Sequence, residues 1–192
     1  MRSYSKKRER NGAGTKIRSG LKVLTVRASP RDPCKGLLTA GNLVFACALG
    51  RGGISTNKRE GDGATPLARM RILSGYFRRG HFSPRQARLA MTPIGPKLGW
   101  CEVPDDRNYN RPVRLPYAAS HEHMLREDRL YDACLVLDWN ISPRRRGRGS
   151  AIFFHLARPG FTPTQGCVAI TARDMARLLP HLSRRTVLKV IR

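Results

Sequence analysis

Acidic side chains are scarce in this 192-residue sequence. Thirteen aspartates and glutamates stand against 37 lysines and arginines, which gives a net charge of +24 at pH 7. A surface of this charge favours polyanions, such as nucleic acid, acidic lipid headgroups or an anionic polymer. Aromatic residues make up only 7% of the chain, and almost none lie beside the basic clusters at residues 6–10 and 144–148. Nucleic-acid modules usually combine basic and aromatic side chains, so nucleic-acid binding is an alternative and not the leading interpretation.

Long apolar runs are also missing. The longest run, residues 43–49, is far shorter than the roughly 20 residues that a membrane-spanning helix needs. The basic N-terminus is not followed by the apolar core of a signal peptide. The sequence therefore predicts no membrane span, and export by the usual secretory route is not visible in it.

Cysteines are few, odd in number and widely spaced. Five occur, with no pair at zinc-ligand spacing, so neither a disulfide scaffold nor a metal site is expected, and at least one thiol is free. Apolar residues make up 40%, enough for one core. We expect a flexible basic arm over residues 1–20 and one folded domain over residues 21–192.

The apolar patterns are mostly short and β-like. They predict a mainly β (α+β) fold, a β-sandwich or barrel-like domain with a few short helices and a C-terminal helix and strand. Strands are expected at 21–28, 36–50 (a hairpin around 40–42), 71–82 (a pair around Gly75), 133–139, 150–157 and 186–191. Helices are expected at 120–130, with Ser120 as N-cap, and at 171–182, with Thr171 as N-cap.

A histidine and a cysteine come close together near the C-terminus. If residues 150–157 form a strand, His155 projects from the face opposite the more apolar one. The next loop contains two prolines and a glycine, and it returns Gly166 and Cys167 to the side of that strand. A thiol beside an imidazole suits nucleophilic catalysis, in which backbone N–H groups near Gly166 receive the oxyanion. A buried structural cysteine and a structural histidine fit the same residues, so the spacing alone leaves both interpretations open.

Two separated motifs resemble the L,D-transpeptidase (YkuD-like) catalytic domain. That family has a histidine, a loop, and then Ser/Thr-His-Gly-Cys; the matching residues are His155 and the run 164–167. Upstream, residues 58–66 resemble the family's Gly-x-x-Thr-Pro loop. Gln165 replaces the usual histidine, and Ala169 the usual arginine or asparagine, which is typical of a divergent subgroup. The resemblance covers about residues 20–192.

The resemblance implies an acyltransferase that cross-links peptidoglycan stem peptides, without metal or cofactor. Cys167 is then the nucleophile, His155 the general acid and base, and Gly166 part of the oxyanion site. Candidate substrate contacts are Thr164, Gln165, Arg59 and Arg114.

It also implies an enzyme of the periplasm or cell envelope, which we expect to be a monomer. The cross-link is of the 3–3 type or of the L-Ala-to-diaminopimelate 1–3 type. A catalytically silent wall-binding module and a basic nucleic-acid-binding protein are the alternatives.

Overall fold

The computed structural model describes residues 20–192. The predicted basic arm therefore lies, apart from Gly20, outside the described residues. Within this range the chain forms fourteen strands, one α-helix and two short 3-10 turns. No helix in the described range is long and apolar enough to cross a membrane.

The elements follow one another with short connections. The strands are β1 (Val23–Ser29), β2 (Asp32–Ala40), β3 (Leu43–Ala48), β4 (Ile54–Ser55), β5 (Thr65–Pro66), β6 (Arg69–Phe77), β7 (Met91–Pro93), β8 (Leu98–Cys101), β9 (Arg111–Arg114), β10 (His121–His123), β11 (Ala133–Leu137), β12 (Phe153–Leu156), β13 (Val168–Ile170) and β14 (Val187–Ile191). The α-helix is α1 (Ala172–Leu178), and the 3-10 turns are Pro159–Phe161 and Leu179–His181.

One large sheet builds most of the domain. Its nine strands run in the order β11-β12-β13-β3-β2-β1-β14-β6-β7. Because β6 also pairs with β11, the pairing returns to its starting strand and the sheet closes around the core. β8, β9 and β10 form a separate three-stranded sheet. The predicted mainly β fold is confirmed.

The predicted hairpin and C-terminal helix are both present. β2 and β3 pair up to Ala40 and Leu43, and Gly41 in the turn between them has the positive φ that such turns favour. The Thr171 hydroxyl caps α1 by accepting the N–H of Asp174 at 3.1 Å. Pro180 follows in a 3-10 turn, so the α-helix is shorter than predicted.

The prediction of a helix at 120–130 is wrong. Residues 121–123 form β10, which pairs with β8. Ser120 does not cap a helix; its hydroxyl donates to the Glu102 carboxylate at 2.7 Å. The Glu122–Arg126 spacing, which suits a helix, instead places the two side chains together across a turn.

The prediction of a strand pair around Gly75 is also wrong, because β6 runs through Gly75 as one strand. A Cβ atom at that position would lie 2.6 Å from Cδ2 of Leu135. Gly75 is therefore required by the close packing of neighbouring side chains over the sheet.

β12 is buried on both of its faces. Phe154 and Leu156 face the main apolar core, which also contains Met175 and Leu178 of α1. Phe153 faces a second cluster, which contains Trp100, Met124, Tyr131, Cys134, Val136 and Cys167. The face that carries His155 is thus covered by a second layer that includes β8, and it is not an open surface.

Candidate active site

Cys167 lies directly before β13. The residue before it, Gly166, occupies a turn position that only glycine fits well. Gly166 has φ +129°, a conformation that L side chains rarely adopt. A Cβ atom there would lie 2.8 Å from the backbone oxygen of Ala64. The upstream Gly-rich segment therefore packs against the cysteine turn, and the two motifs of the sequence meet in space.

The upstream loop is itself tightly bonded. The Thr65 hydroxyl accepts the N–H of Gly50 at 2.8 Å. The buried Lys58 ammonium forms an ion pair with Asp62, whose carboxylate also accepts the N–H of Ala64 at 2.8 Å. This bonding fixes the position of the Ala64 carbonyl, against which Gly166 packs.

Thr164 closes the cysteine turn from the other side. Its hydroxyl donates to the Cys167 carbonyl at 2.7 Å and accepts the N–H of Gly166 at 3.1 Å. Its backbone also bonds to Leu49 and Arg51. The Thr164 hydroxyl is thus occupied by the turn, and so is the Gly166 N–H that the sequence suggested as an oxyanion donor.

The Cys167 thiol is held by backbone groups of the segment that leads into β12. The thiol donates to the Ala151 carbonyl at 3.2 Å, and the N–H of Phe153 donates to the sulfur at 3.3 Å. Burial raises the pKa of Cys167 to about 12. Without a substrate, the sulfur is therefore a neutral thiol at neutral pH.

His155 lies in the middle of the sheet, between Cys134 on β11 and Ala169 on β13. Paired residues share a face, and the face repeats every second residue, so Cys167 lies on the same side as His155. Burial lowers the pKa of His155 to about 4. The imidazole is therefore neutral at neutral pH and able to act as a base.

A backbone carbonyl holds one end of the imidazole. Nδ1 of His155 lies 2.8 Å from the carbonyl oxygen of Leu156. A carbonyl only accepts, so we assign the proton to Nδ1, which leaves the lone pair on Nε2. The sequence had left the group that orients His155 unnamed.

Both side chains line one cavity of about 410 Å³. Of the four residues predicted to contact substrate, Thr164 and Gln165 line this cavity, whereas Arg59 and Arg114 do not. The charged side chains that do line it are Glu60, Glu102, Glu122, Arg126 and Arg158.

The two cavity arginines differ in how many of their hydrogen-bond donors are already used. Arg126 uses Nε and one amino group on Asp128, at 2.8 and 2.7 Å, and its other amino group on Glu122. Arg158 makes one hydrogen bond to Asp128, at 2.9 Å, and its side chain is 47% exposed. Arg158 therefore has more donors available to a ligand than Arg126, whose three nitrogens all bond to carboxylates.

Glu122 and Arg126 were missed from the sequence because they fall on the helix predicted at residues 120–130. One signal was present: four of the thirteen acidic residues, Glu122, Glu127, Asp128 and Asp132, fall within eleven positions of a chain that is otherwise basic. Acidic residues concentrated in this way indicate local ion pairing. No group of three side chains suited to bind a metal occurs among residues 20–192.

The closed sheet and this cavity define a mainly β domain with a cysteine and a histidine on one cavity wall. The family model of the L,D-transpeptidase catalytic domain, YkuD, matches residues 36–191, and the chain belongs to this family. The resemblance found in the motifs is thereby confirmed.

One solved structure was also found to be similar. It is L,D-transpeptidase 1 of Mycobacterium tuberculosis, with 11% sequence identity and a TM-score of 0.39. The match covers 88% of this chain and 62% of that one, so this chain spans less than two thirds of the length of that relative. A comparison with curated proteins finds no match.

Proposed function

We propose that the chain is a peptidoglycan L,D-transpeptidase that joins stem peptides through a thioester on Cys167. The observation that carries the proposal is that Cys167 and His155 line one cavity, on a stretch that matches the transpeptidase family. A neutral thiol and a neutral imidazole on one cavity wall form a resting state from which His155 can take the thiol proton when a substrate is bound.

In the first half-reaction, a donor stem peptide enters the cavity. Nε2 of His155 takes the proton of Cys167, and the sulfur attacks the carbonyl carbon of the scissile peptide bond. The C–N bond then breaks, and the leaving amine takes the proton from His155. The product is a thioester on Cys167.

In the second half-reaction, the amine of an acceptor stem attacks the thioester carbon. His155 takes one proton from that amine and passes it to the departing sulfur as the C–S bond breaks. A new amide joins the two stems, and the enzyme returns to its starting state. Water as acceptor would give hydrolysis of the donor stem instead.

The oxyanion of both steps needs a backbone donor. The Gly166 N–H already donates to Thr164, so we assign this role first to the N–H of Cys167. The part of Gly166 is then to permit the turn that aims this N–H at the substrate. A single donor of this kind contributes about 3 kcal/mol to transition-state stabilisation.

Substrate recognition falls to residues on the cavity wall. Arg158 has free donors and lies beside the loop that carries Gln165, so we assign it the binding of a stem carboxylate. This replaces the expectation for Arg59 and Arg114. The cross-link remains a choice between the 3–3 and the L-Ala-to-diaminopimelate 1–3 types, and the site of action is the cell envelope.

Incubation of the purified protein with isolated sacculi tests this proposal. The digested sacculi are analysed by mass, and new cross-linked muropeptides are expected with the wild type; their masses identify the donor position. Cys167→Ala removes the sulfur and should abolish them. Cys34→Ala, which removes a thiol that bonds only to the Arg51 carbonyl, is the matched control and should leave them unchanged.

The alternatives give other results. A silent wall-binding module would bind sacculi with no new muropeptide from the wild type. A nucleic-acid-binding protein would bind duplex or RNA with a steep salt dependence, and Cys167→Ala would not alter that binding. Cross-links that persist in Cys167→Ala would contradict the assignment.

A further inference from the structure

An aromatic ring outside the transpeptidase motifs packs against His155. The Tyr131 ring lies 5.3 Å from the imidazole, measured between centroids, with an interplanar angle of 75°. The same ring meets Phe153 at 5.7 Å and 89°. Tyr131 is only 6% exposed, so its ring has little room to move.

A guanidinium covers the Tyr131 ring in turn. The Arg126 guanidinium carbon lies 5.1 Å from the centroid of that ring. Glu122 and Asp128 hold the guanidinium from two sides. All three nitrogens of Arg126 therefore bond to these carboxylates, which fix the guanidinium in the cavity wall.

We propose that Tyr131 and Arg126 are positioning residues that hold the imidazole of His155 in the orientation that catalysis needs. The inference rests on the proposed role of His155 as the base. The Leu156 carbonyl fixes only the Nδ1 end of the ring. The ring torsion of a histidine is broad and roughly two-fold, so one hydrogen bond leaves a flipped ring accessible.

Packing against Tyr131 removes that freedom. Rotation of the imidazole has to pass the Tyr131 ring, which Arg126 and Phe153 hold in place, and a flipped ring would lose the hydrogen bond to the Leu156 carbonyl. Nε2 therefore stays pointed away from the Leu156 carbonyl. An arginine suits this role because its flat guanidinium stacks on a ring while its fork binds a carboxylate with two nitrogens; a lysine ammonium is a point charge without that plane or fork.

The same residues set the electrostatic environment of His155. Burial is the main cause of its lowered pKa; Arg126 and Arg158 lower it further, and Asp128 opposes them. The remaining titratable side chains that face the imidazole or its immediate neighbours are Cys134 on β11, Cys167 beside β13, Glu122 on β10 and Tyr131.

The test uses Tyr131→Leu, which removes the ring, and Arg126→Lys, which keeps the charge but not the flat guanidinium. Nitrogen NMR of the full chain follows the tautomer and the pKa of His155, with its signals assigned from His155→Gln. We expect the wild type to hold the Nδ1–H tautomer. Both variants should show a mixture of tautomers and a His155 pKa raised by about one unit, as the loosened ring gains water.

Steady-state kinetics give the second readout. Because only orientation changes, kcat should fall by about 10- to 100-fold while KM stays within about twofold. Tyr131→Phe keeps the ring and should restore both the tautomer and kcat. Arg129→Lys, on the same segment and paired with Asp132 at 2.9 Å, is the matched control and should behave as the wild type.

An unchanged His155 tautomer and pKa in the folded variants would overturn the inference. Arg126→Lys retains the positive charge beside Glu122 and Asp128, so we expect it to fold. If Tyr131→Leu does not fold, Arg126→Lys alone tests the positioning role. The NMR readout needs no substrate. If the variants change the His155 tautomer but the wild type makes no cross-links, the proposed function is refuted and the positioning role stands.

Discussion

At the scale of single residues, burial decides the protonation of the two reactive groups. It raises the pKa of Cys167 to about 12 and lowers that of His155 to about 4. The unliganded site is therefore a neutral pair and not a thiolate–imidazolium pair. In the proposed mechanism, a bound substrate draws the thiol away from the Ala151 carbonyl, and proton transfer to His155 follows.

The lowered pKa of His155 predicts an acid-sensitive fold. In the unfolded chain the imidazole takes up a proton below about pH 6.5, but in the folded protein only below about pH 4. Its contribution to stability is therefore complete above about pH 6.5 and is lost as the pH falls towards 4, by up to about 3 kcal/mol. His155→Gln removes this titration.

Thermal melts of both proteins at about pH 7 and pH 5 check this prediction. The melting temperature of the wild type should fall more between the two values than that of His155→Gln, since glutamine does not titrate. An equal fall in both proteins would mean that His155 is not protonated on unfolding, contrary to its buried neutral state.

Gly166→Ala should damage both the fold and the site. The new Cβ would meet the Ala64 carbonyl at 2.8 Å in a backbone conformation that alanine rarely adopts. We expect a loss of about 3 kcal/mol or more in the free energy of unfolding, from strain and clash together, and loss of cross-linking.

Gly160→Ala is the matched control on the same connection. Gly160 also has a positive φ, +72°, but an added Cβ would meet nothing within 4 Å. It should cost only about 1 kcal/mol and leave cross-linking intact. Equal effects of the two substitutions in chemical denaturation would show that contact with the Ala64 carbonyl does not matter.

At the scale of elements, β12 and β13 deliver the two reactive side chains. They are parallel neighbours, with His155 opposite Ala169, and residues 157–167 connect the end of the first strand to the start of the second. α1 follows β13 directly and buries Met175 and Leu178 in the main core. The helix thus anchors the strand that follows the cysteine.

Thr171→Ala should loosen this anchor. The Thr171 hydroxyl caps the N–H of Asp174 and also donates to its carboxylate at 2.7 Å. Removal of a cap of this kind costs about 1 kcal/mol in the free energy of unfolding, measured by chemical denaturation. Arg173→Ala, exposed in the first turn of the same helix, should change it by less than about 0.5 kcal/mol.

Local patterns explain which elements could be predicted from the sequence. Each correctly predicted element has its own hydrophobic period, turn or cap in the sequence. These elements are the β2–β3 hairpin, β11, β12, α1 and β14. The segment 120–130 was misread because its Glu122–Arg126 spacing fits a helix. Only the pairing of His121 with Cys101 makes it a strand, and a local pattern does not contain that contact.

Some residues of the candidate site could also be predicted from the sequence, and others could not. His155, Gly166 and Cys167 could be singled out because they lie in one short run with a recognisable order. Tyr131, Arg126 and Arg158 could not, since their roles depend on contacts across several elements. Arg59 and Arg114 were chosen for their charge and for their place in loops that could border a cleft, and neither property says which way a surface side chain points.

At the scale of the whole molecule, the net charge of the chain differs from the mixed charges that line the cavity. The chain carries +24, yet the cavity includes Glu60, Glu102 and Glu122 beside its two arginines. In the proposed function, the overall positive charge attracts the protein to an anionic polymer, while the cavity presents both signs of charge to a stem peptide.

Binding to isolated sacculi should accordingly depend on salt. We expect the binding constant to fall steeply between about 50 and 200 mM salt, because cationic side chains that contact a polyanion release its counterions. Cys167→Ala should show the same fall, since it changes no charge at neutral pH. Sedimentation with sacculi measures the binding constant. A binding constant that does not change with salt would show that the net positive charge does not contribute to binding.

The most direct test of the central claim is to trap the thioester. The protein is mixed with a soluble donor stem peptide, quenched in acid and digested, and the peptide that contains Cys167 is weighed. The account predicts an added acyl mass on Cys167 that forms in the wild type and is lost when an acceptor amine is added. His155→Gln should form it much more slowly. A modified stem without any acyl mass on Cys167, or the same mass on another residue, would contradict the account.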